Sequence, residues 1–273
     1  MKRFITFIAG IACMALLLSG CSLVMLNNPD VSAPDLKQTD PSEQVSTQAT
    51  QTAKATQATQ SVETSPTAPP INDPYPQYVQ TDINEMIISS DSYGKTKQII
   101  PVGIPKLLPF SEDAITCQNE IQDRFGPTLE EMRQNASEGY SISHAYIEHF
   151  VYLNDTILSV VIHERSMFDS SAFTVYNFDI ESGKQLNIQE LMNKLQITDY
   201  AEKFTQTAKE TFEANYGHFN HDDFYQTQLA TTINKENIDK VKPYVAENGK
   251  VMIIINIYAL AGAAYYPEAG PLS

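Results

Sequence analysis

Residues 140–164 read YSISHAYIEHFVYLNDTILSVVIHE, and this stretch decides the fold. Tyr140 to Leu153 alternates apolar and polar side chains. Asn154-Asp155 is a turn pair, and Thr156 to Glu164 returns as an apolar run. Alternation, turn and return describe a β-hairpin. A third strand follows at Ala172 to Ile180, with Phe173, Val175, Asn177 and Asp179 on one face. Thr174, Tyr176, Phe178 and Ile180 take the other face, since successive strand side chains point opposite ways.

Working outward, Glu181-Ser182-Gly183-Lys184 is a tight turn, and Leu186 to Met192 passes from strand into a short helix. Upstream, Ile83 to Ile88 and Gln98 to Leu107 are extended runs. Pro101 and Pro105 predict edge strands there, because proline cannot donate to a ladder. Ser111-Glu112-Asp113 opens a helix with a capping side chain and two acids in its first turn. Ala114, Cys117, Ile121 and Phe125 follow at helical spacing, and Gly126-Pro127 is expected to end the helix. Thr128 to Asn135 reads as a short second helix. Asp199 to Tyr216 is amphipathic, with Tyr200, Phe204, Ala208, Phe212 and Tyr216 on one stripe and Gly217 at its cap position. Val241 to Ala246, a Glu247-Asn248-Gly249 turn and a buried strand at Lys250 to Tyr258 close the chain. The apolar run Val251 to Tyr266 is too short for a membrane span, contains Asn256 and runs into Pro267. The expected class is α+β: an antiparallel sheet with a few helices packed on it, a single domain after a disordered tether.

The N-terminal third has a different character. Lys2-Arg3, an apolar stretch from Phe4 to Leu18, and Leu18-Ser19-Gly20-Cys21 match a bacterial lipobox. Residues 1–20 read as a lipoprotein signal peptide. Cleavage makes Cys21 the lipidated N-terminus, and diacylation supplies two chains where one would hold only marginally. Residues 21–74 are rich in Thr, Gln, Ser, Ala and Pro, as in Gln44-Val45-Ser46-Thr47-Gln48-Ala49-Thr50-Gln51. No aromatic residue occurs between Phe7 and Tyr75. Such a segment cannot bury enough apolar area to offset its ordering entropy, so it reads as a flexible tether. Residues 75–273 hold all 14 tyrosines and have the composition of one globular domain.

The chain carries a formal charge of −15. Four of its 18 basic and six of its 33 acidic residues precede Tyr75, so the domain is near −13. That argues against nucleic acid as a ligand and permits a cationic partner. Cys117 stands alone in the domain and reads as a buried structural thiol. No Gly-x-Ser-x-Gly or Walker A motif occurs. Ser92-Tyr93-Gly94-Lys95 has Ser-x-x-Lys spacing without its companion motifs. His218-Phe219-Asn220-His221-Asp222-Asp223 is the best metal candidate, and it reads as a solvated loop with no fourth ligand placed. His144 and His149 have opposite strand parity, and His163 faces away from Glu164. Glu130-Glu131 and Asp222-Asp223 read as solvated surface. No catalytic residue, metal ligand or cofactor is assigned.

The order of motifs resembles a known family. Ile104-Pro105-Lys106-Leu107 precedes a helix carrying Asn119-Glu120-Ile121. Ser159-Val160-Val161 follows, then the run from Tyr176-Asn177-Phe178-Asp179 through Gly183-Lys184-Gln185-Leu186 to Gln189-Glu190-Leu191. Tyr258-Ala259 and Gly262 close the series. This order, over Ile83 to Pro267, resembles the extracellular domain of the lysozyme-sensing anti-sigma factor RsiV and the N-terminal domain of the peptidoglycan deacetylase PdaC, a domain family of unknown function. Members often carry Gly-Gly-Ala-His before the Asn-Phe-Asp strand, where this chain has Asp169-Ser170-Ser171-Ala172-Phe173. The resemblance implies a fold and a binding role at the envelope, with no enzymatic activity to inherit.

Together these readings predict a non-catalytic cell-surface lipoprotein, anchored to the cell membrane and facing its extracellular or periplasmic side. Its acidic domain is expected to bind a cationic protein such as lysozyme, or cell-wall glycan. The alternative is a peptidoglycan hydrolase or deacetylase with a metal at His218 to Asp223. Labelled fatty acid is expected to be incorporated into the full chain and to be lost in Cys21→Ala. Undiminished labelling of that variant would remove the lipid site.

Overall fold

Ser111 caps the first helix, accepting a hydrogen bond from the Ala114 N–H at 3.1 Å. Helix α1 then runs unbroken over Glu112–Ser137, with Pro127 inside it. The expected stop at Gly126-Pro127 and the separate helix from Thr128 are therefore corrected. A mid-helix proline costs about 3 kcal/mol. Phe125, Leu129 and Met132 lie buried on either side of it. Each contributes roughly 1.5–3 kcal/mol by leaving water, so burial outweighs the proline.

In the computed structural model the described residues are 73–90, 97–167, 170–260 and 264–272. They fall within one compact unit spanning 60–273. Cys21, the signal segment 1–20, the tether up to residue 72, Ser92 to Lys95, Asp169 and Gly262 lie outside the described residues. The domain expected from Tyr75 has its first described contact at Asp73, whose carboxylate accepts from the Thr81 N–H and hydroxyl at 3.0 and 2.6 Å.

The class is α+β, with two sheets where one was expected. The first has six strands in sequence order: β1 (Val79–Ser90), β2 (Lys97–Leu107), β3 (His144–Asn154), β4 (Ile157–Ser166), β5 (Ser171–Asp179) and β6 (Lys184–Gln185). All neighbours are antiparallel except β2 and β3, which are parallel and meet at Val102 and Ile147. Thus β1 is the edge, and β2 is interior despite Pro101 and Pro105. The β2–β3 ladder is so brief that the missing proline donors remove little from it. The hairpin β3–β4 and strand β5 follow the predicted pattern.

The second sheet holds β7 (Lys242–Val245), β8 (Val251–Tyr258) and β9 (Tyr265–Pro271), all antiparallel. Strand β9 was not expected, because Pro267 breaks the strand signal; it survives as an edge strand, where proline is tolerated. Short α2 (Ile188–Lys194) begins with a capping box between Asn187 and Glu190. Helix α3 (Tyr200–Tyr216) matches the amphipathic stripe. Gly217 is right-handed, with φ −57°, and leads into a 3-10 turn, so it is no left-handed cap. Helices α4 (Asp223–Thr232) and α5 (Lys235–Ile238) follow it.

Four layers result. Alternate β4 residues Leu158, Val160 and Ile162 pack with Tyr176 and Phe178 under the α1 stripe. Val161, on the opposite face, meets Tyr244 and Ile254 of the second sheet. Ile253, Ile255 and Ile257 on the far side of β8 pack against Phe204, Ala208 and Phe212 of α3. The joint between the sheets is polar. Ser159 Oγ donates to Asn177 Oδ1 at 2.7 Å and accepts from the Val245 N–H at 3.0 Å. Asn177 Nδ2 donates to the Pro243 carbonyl at 2.9 Å. Both side chains are buried.

Asn177→Ala strands the Pro243 carbonyl and a Ser159 hydroxyl in that joint. The expected loss is about 3 kcal/mol, read from urea unfolding, since each buried unpaired group costs about 1–3 kcal/mol. A loss under about 0.5 kcal/mol, the ordinary surface range, would refute this account of the joint.

Candidate binding cleft

Strand β6 pairs with β5 only at Phe178 and Asp179. Gly183, at φ 72°, makes the turn into β6 against Ser111, where a Cβ would come within 2.6 Å of the serine Cβ. The Asp113 carboxylate then takes the Gln185 N–H at 2.7 Å, and the capping box starts α2. The outer edge of β5 before Asn177 has no strand neighbour among the described residues.

That edge opens into a cleft of about 430 Å³. Thr174, Val175 and Asn177 form one wall; Gln185 to Ile188 and Asp239 to Pro243 form the others. A second hollow of about 280 Å³ continues it past Phe173 toward Asn256, Tyr265 and Pro267. Arg124, Lys240 and Lys242 line both. At the other end Asn187, Ile188 and Asp239 are shared with a hollow of about 440 Å³ bounded by Tyr200, Phe204 and Ile238. Along β5 the groove is lined by three cations and the Asp239 carboxylate, and beside α3 it is largely apolar.

The three cations are held differently. Arg124, projecting from α1, donates to Thr174 Oγ1 at 2.6 Å and pairs with Glu164. Lys240 pairs with Glu236 at 2.7 Å in a fully exposed contact of little energetic weight. The Lys242 ammonium donates to the Phe173 backbone carbonyl. Burial, and then the nearby Arg124 guanidinium, push its pKa below the ordinary lysine value, with Glu164 opposing. No described carboxylate makes an ion pair with Lys242. An anionic group entering the cleft would meet it directly.

The residues singled out from sequence lie elsewhere. His218 is in the 3-10 turn, in ring contact with Phe219. Asp222 caps α4 by accepting the Phe224 N–H at 2.8 Å. Among the described residues, no group of three or more His, Cys, Asp or Glu could hold a metal ion. The expected loop at 218–223 is thus a 3-10 turn followed by a helix start. Glu130 makes only a 3.8 Å contact with Arg133. Cys117 lies on the buried face of α1, and burial, then Glu120 and Asp113, push its thiol up to about 12, far from a nucleophile's range. His149 Nδ1 is 3.1 Å from the Gly103 carbonyl. His163 stacks on Phe173 at 4.1 Å and contacts Glu148 at 3.2 Å across the β3–β4 ladder.

Sequence reasoning missed Arg124, Lys240 and Lys242. They are far apart in the chain, and each reads as an ordinary surface charge. The one available signal was Ser171-Ala172-Phe173, where the sequence departs from the Gly-Gly-Ala-His element of the family it resembles; these residues line the second hollow.

No family model matches the chain, and no curated protein matches it. Its structural neighbours are DUF3298 family proteins. One, from Pseudomonas aeruginosa PAO1, has 12% identity over 71% of this chain and 89% of its own, with a TM-score of 0.41. Another, from Bacteroides fragilis NCTC 9343, has 15% identity over 71% of this chain and 88% of its own, with a TM-score of 0.34.

Burial holds the pKa values of both His149 and His163 below 6.5, against opposing contributions from Gly103 and Glu148. The unfolded chain therefore binds more protons than the folded one once the pH drops below about 6.5, and folding stability declines. Relative to His149→Asn, the wild type is expected to lose stability between about pH 7 and pH 5 in urea titrations. A difference independent of pH would exclude His149 as a source of that decline.

Proposed function

We propose that this chain is a non-catalytic binding lipoprotein of the bacterial cell envelope. Lipid on Cys21 holds it to the membrane, and residues 21–74 let the domain range outward, on the extracellular or periplasmic side. The ligand is an anionic envelope component seated in the β5 cleft, and cell-wall glycan with its stem-peptide carboxylates is the leading one. The observation that carries this reading is the gathering of Arg124, Lys240 and Lys242 around one cleft in a chain of net charge −15. Most of the surface repels anions, so a cationic cleft gives such a ligand one place to bind. Nucleic acid is disfavoured by the same net charge.

The net charge also supports a second reading, in which a cationic protein such as lysozyme docks on the acidic exterior. The hydrolase or deacetylase alternative placed its metal at His218 to Asp223, where no group of three or more His, Cys, Asp or Glu forms among the described residues.

Reversing two charges, Lys240→Glu with Lys242→Glu, separates the two ligands. Retention of the full chain on purified cell-wall sacculi at low salt is expected to fall at least about tenfold, as like charges now face the ligand. Retention on immobilised lysozyme is expected to hold or rise. Unchanged retention on sacculi would remove the cleft from the binding reaction.

A further inference from the structure

We infer that the cleft takes its ligand as an extended acidic peptide, added as a strand to the free edge of β5 at Val175. The inference rests on the cleft being the binding site. It adds what part of the ligand is held and by which backbone groups.

The direction of the β5 backbone groups follows from their partners. The Asn177 carbonyl accepts from the Leu186 N–H at 2.7 Å, on the outer side. The Phe173 carbonyl accepts from Lys242, also on the outer side. On the inner side, the Ile180 N–H bonds the Thr156 carbonyl and the Ser170 carbonyl bonds the Ser166 N–H. Odd-numbered residues of β5 therefore point outward, because the two edges alternate along an antiparallel strand. Val175 lies between Phe173 and Asn177 with the same parity. Its N–H and C=O both face the cleft, and no described group bonds either one.

An outward N–H and C=O on one residue is the pair an added strand uses. The cations supply the charge preference. Arg124 reaches the edge from the α1 side at Thr174, while Lys240 and Lys242 approach from the second sheet. Side chains of an added strand alternate between those two sides, so acidic residues on either side find a cation. Lys242 has a further role. Its ammonium closes off the Phe173 carbonyl in the free protein, as lysines do on exposed edges. An incoming strand frees the ammonium to meet a ligand carboxylate.

The test uses the full-length protein and an acetylated, amidated hexapeptide of alternating valine and glutamate, beside the same peptide with lysine for glutamate. At low salt the glutamate peptide is expected to bind saturably, at least about tenfold tighter than the lysine peptide. Its binding is expected to slow hydrogen exchange at the Val175 amide. Val175→Pro removes the outward N–H without touching the β4 ladder. It is expected to leave the melting transition in place and weaken the glutamate peptide about five- to tenfold. Equal affinity for the two peptides, or no detectable binding of either, would overturn the inference. So would an unprotected Val175 amide in the wild-type complex, a readout that stands even if Val175→Pro fails to fold. If sacculi are retained by Val175→Pro but not by the Lys240→Glu and Lys242→Glu variant, the cleft stands and strand addition falls. Retention by both variants removes the cleft itself.

Discussion

Two side chains on one face of the first sheet hold the domain's layers in register. Ser159 and Asn177 supply the hydrogen bonds that the outer edge of β7 cannot obtain from a neighbouring strand. Strand β7 is four residues long and lies across the first sheet instead of joining it. Its outward Pro243 carbonyl and Val245 N–H would otherwise be buried without partners, at about 1–3 kcal/mol each. Pro243 suits this place, since its missing N–H lies on the side with no ladder. The same device recurs beyond the end of β7. There Asn237 donates to the Asn256 carbonyl and Thr232 accepts the Tyr258 N–H. A short strand leaves backbone groups on the long one beside it, and helix-borne side chains satisfy them.

The polar joint also decides where the cleft forms. Because β7 crosses the face of the first sheet, it does not lie along β5 and extend it. Strand β6 would extend it, but the Asn187 cap turns the chain into α2 after two residues. The free edge of β5 is thus a product of two constraints that serve stability. The α5–β7 connection then brings Lys240 and Lys242 to that edge from one side, and α1 brings Arg124 from the other. Helix α1, the α5–β7 connection and the first residue of β7 thus each supply one cation.

Much of this was legible in the sequence where side-chain periodicity alone decides structure. The β3–β4 hairpin, the two faces of β5, the buried α1 stripe and the α3 stripe were all readable because one residue type repeats at one period. The failures have physical causes. Pro127 looked like a helix stop because the stripe continuing through Leu129 and Met132 outweighs it only when a sheet lies beneath. Pro267 hid β9 because proline's penalty depends on whether its edge is paired. Helix α4 was masked because His218 to Asp223 follow Gly217, which read as a helix end, although Asp222 is a capping residue. The cleft was illegible because no periodicity links Arg124 to Lys242. Ser159-Val160-Val161 and Asn177-Phe178-Asp179 stood out as motifs before any reason was evident. In the structure Ser159 and Asn177 form the joint, and Asp179 staples the turn through Ser182 and Lys194.

An open strand edge is a hazard that folded proteins usually suppress, since it templates unwanted pairing. Here suppression is partial. Asn177 is paired by Leu186, the Phe173 carbonyl is covered by Lys242, and the edge is recessed between α5 and the second sheet. At Val175 neither the outward N–H nor the outward carbonyl is bonded by a described group, whereas at Phe173 and Asn177 the carbonyl is covered. Nothing in the packing requires this. One further residue pair in β6, or a hydroxyl or amide on the opposite wall, would close it, as Ser159 and Asn177 close the edge of β7. A fold that satisfies β7 so thoroughly has the means to satisfy β5. The open site beside three cations is the edge that the proposed ligand would complete.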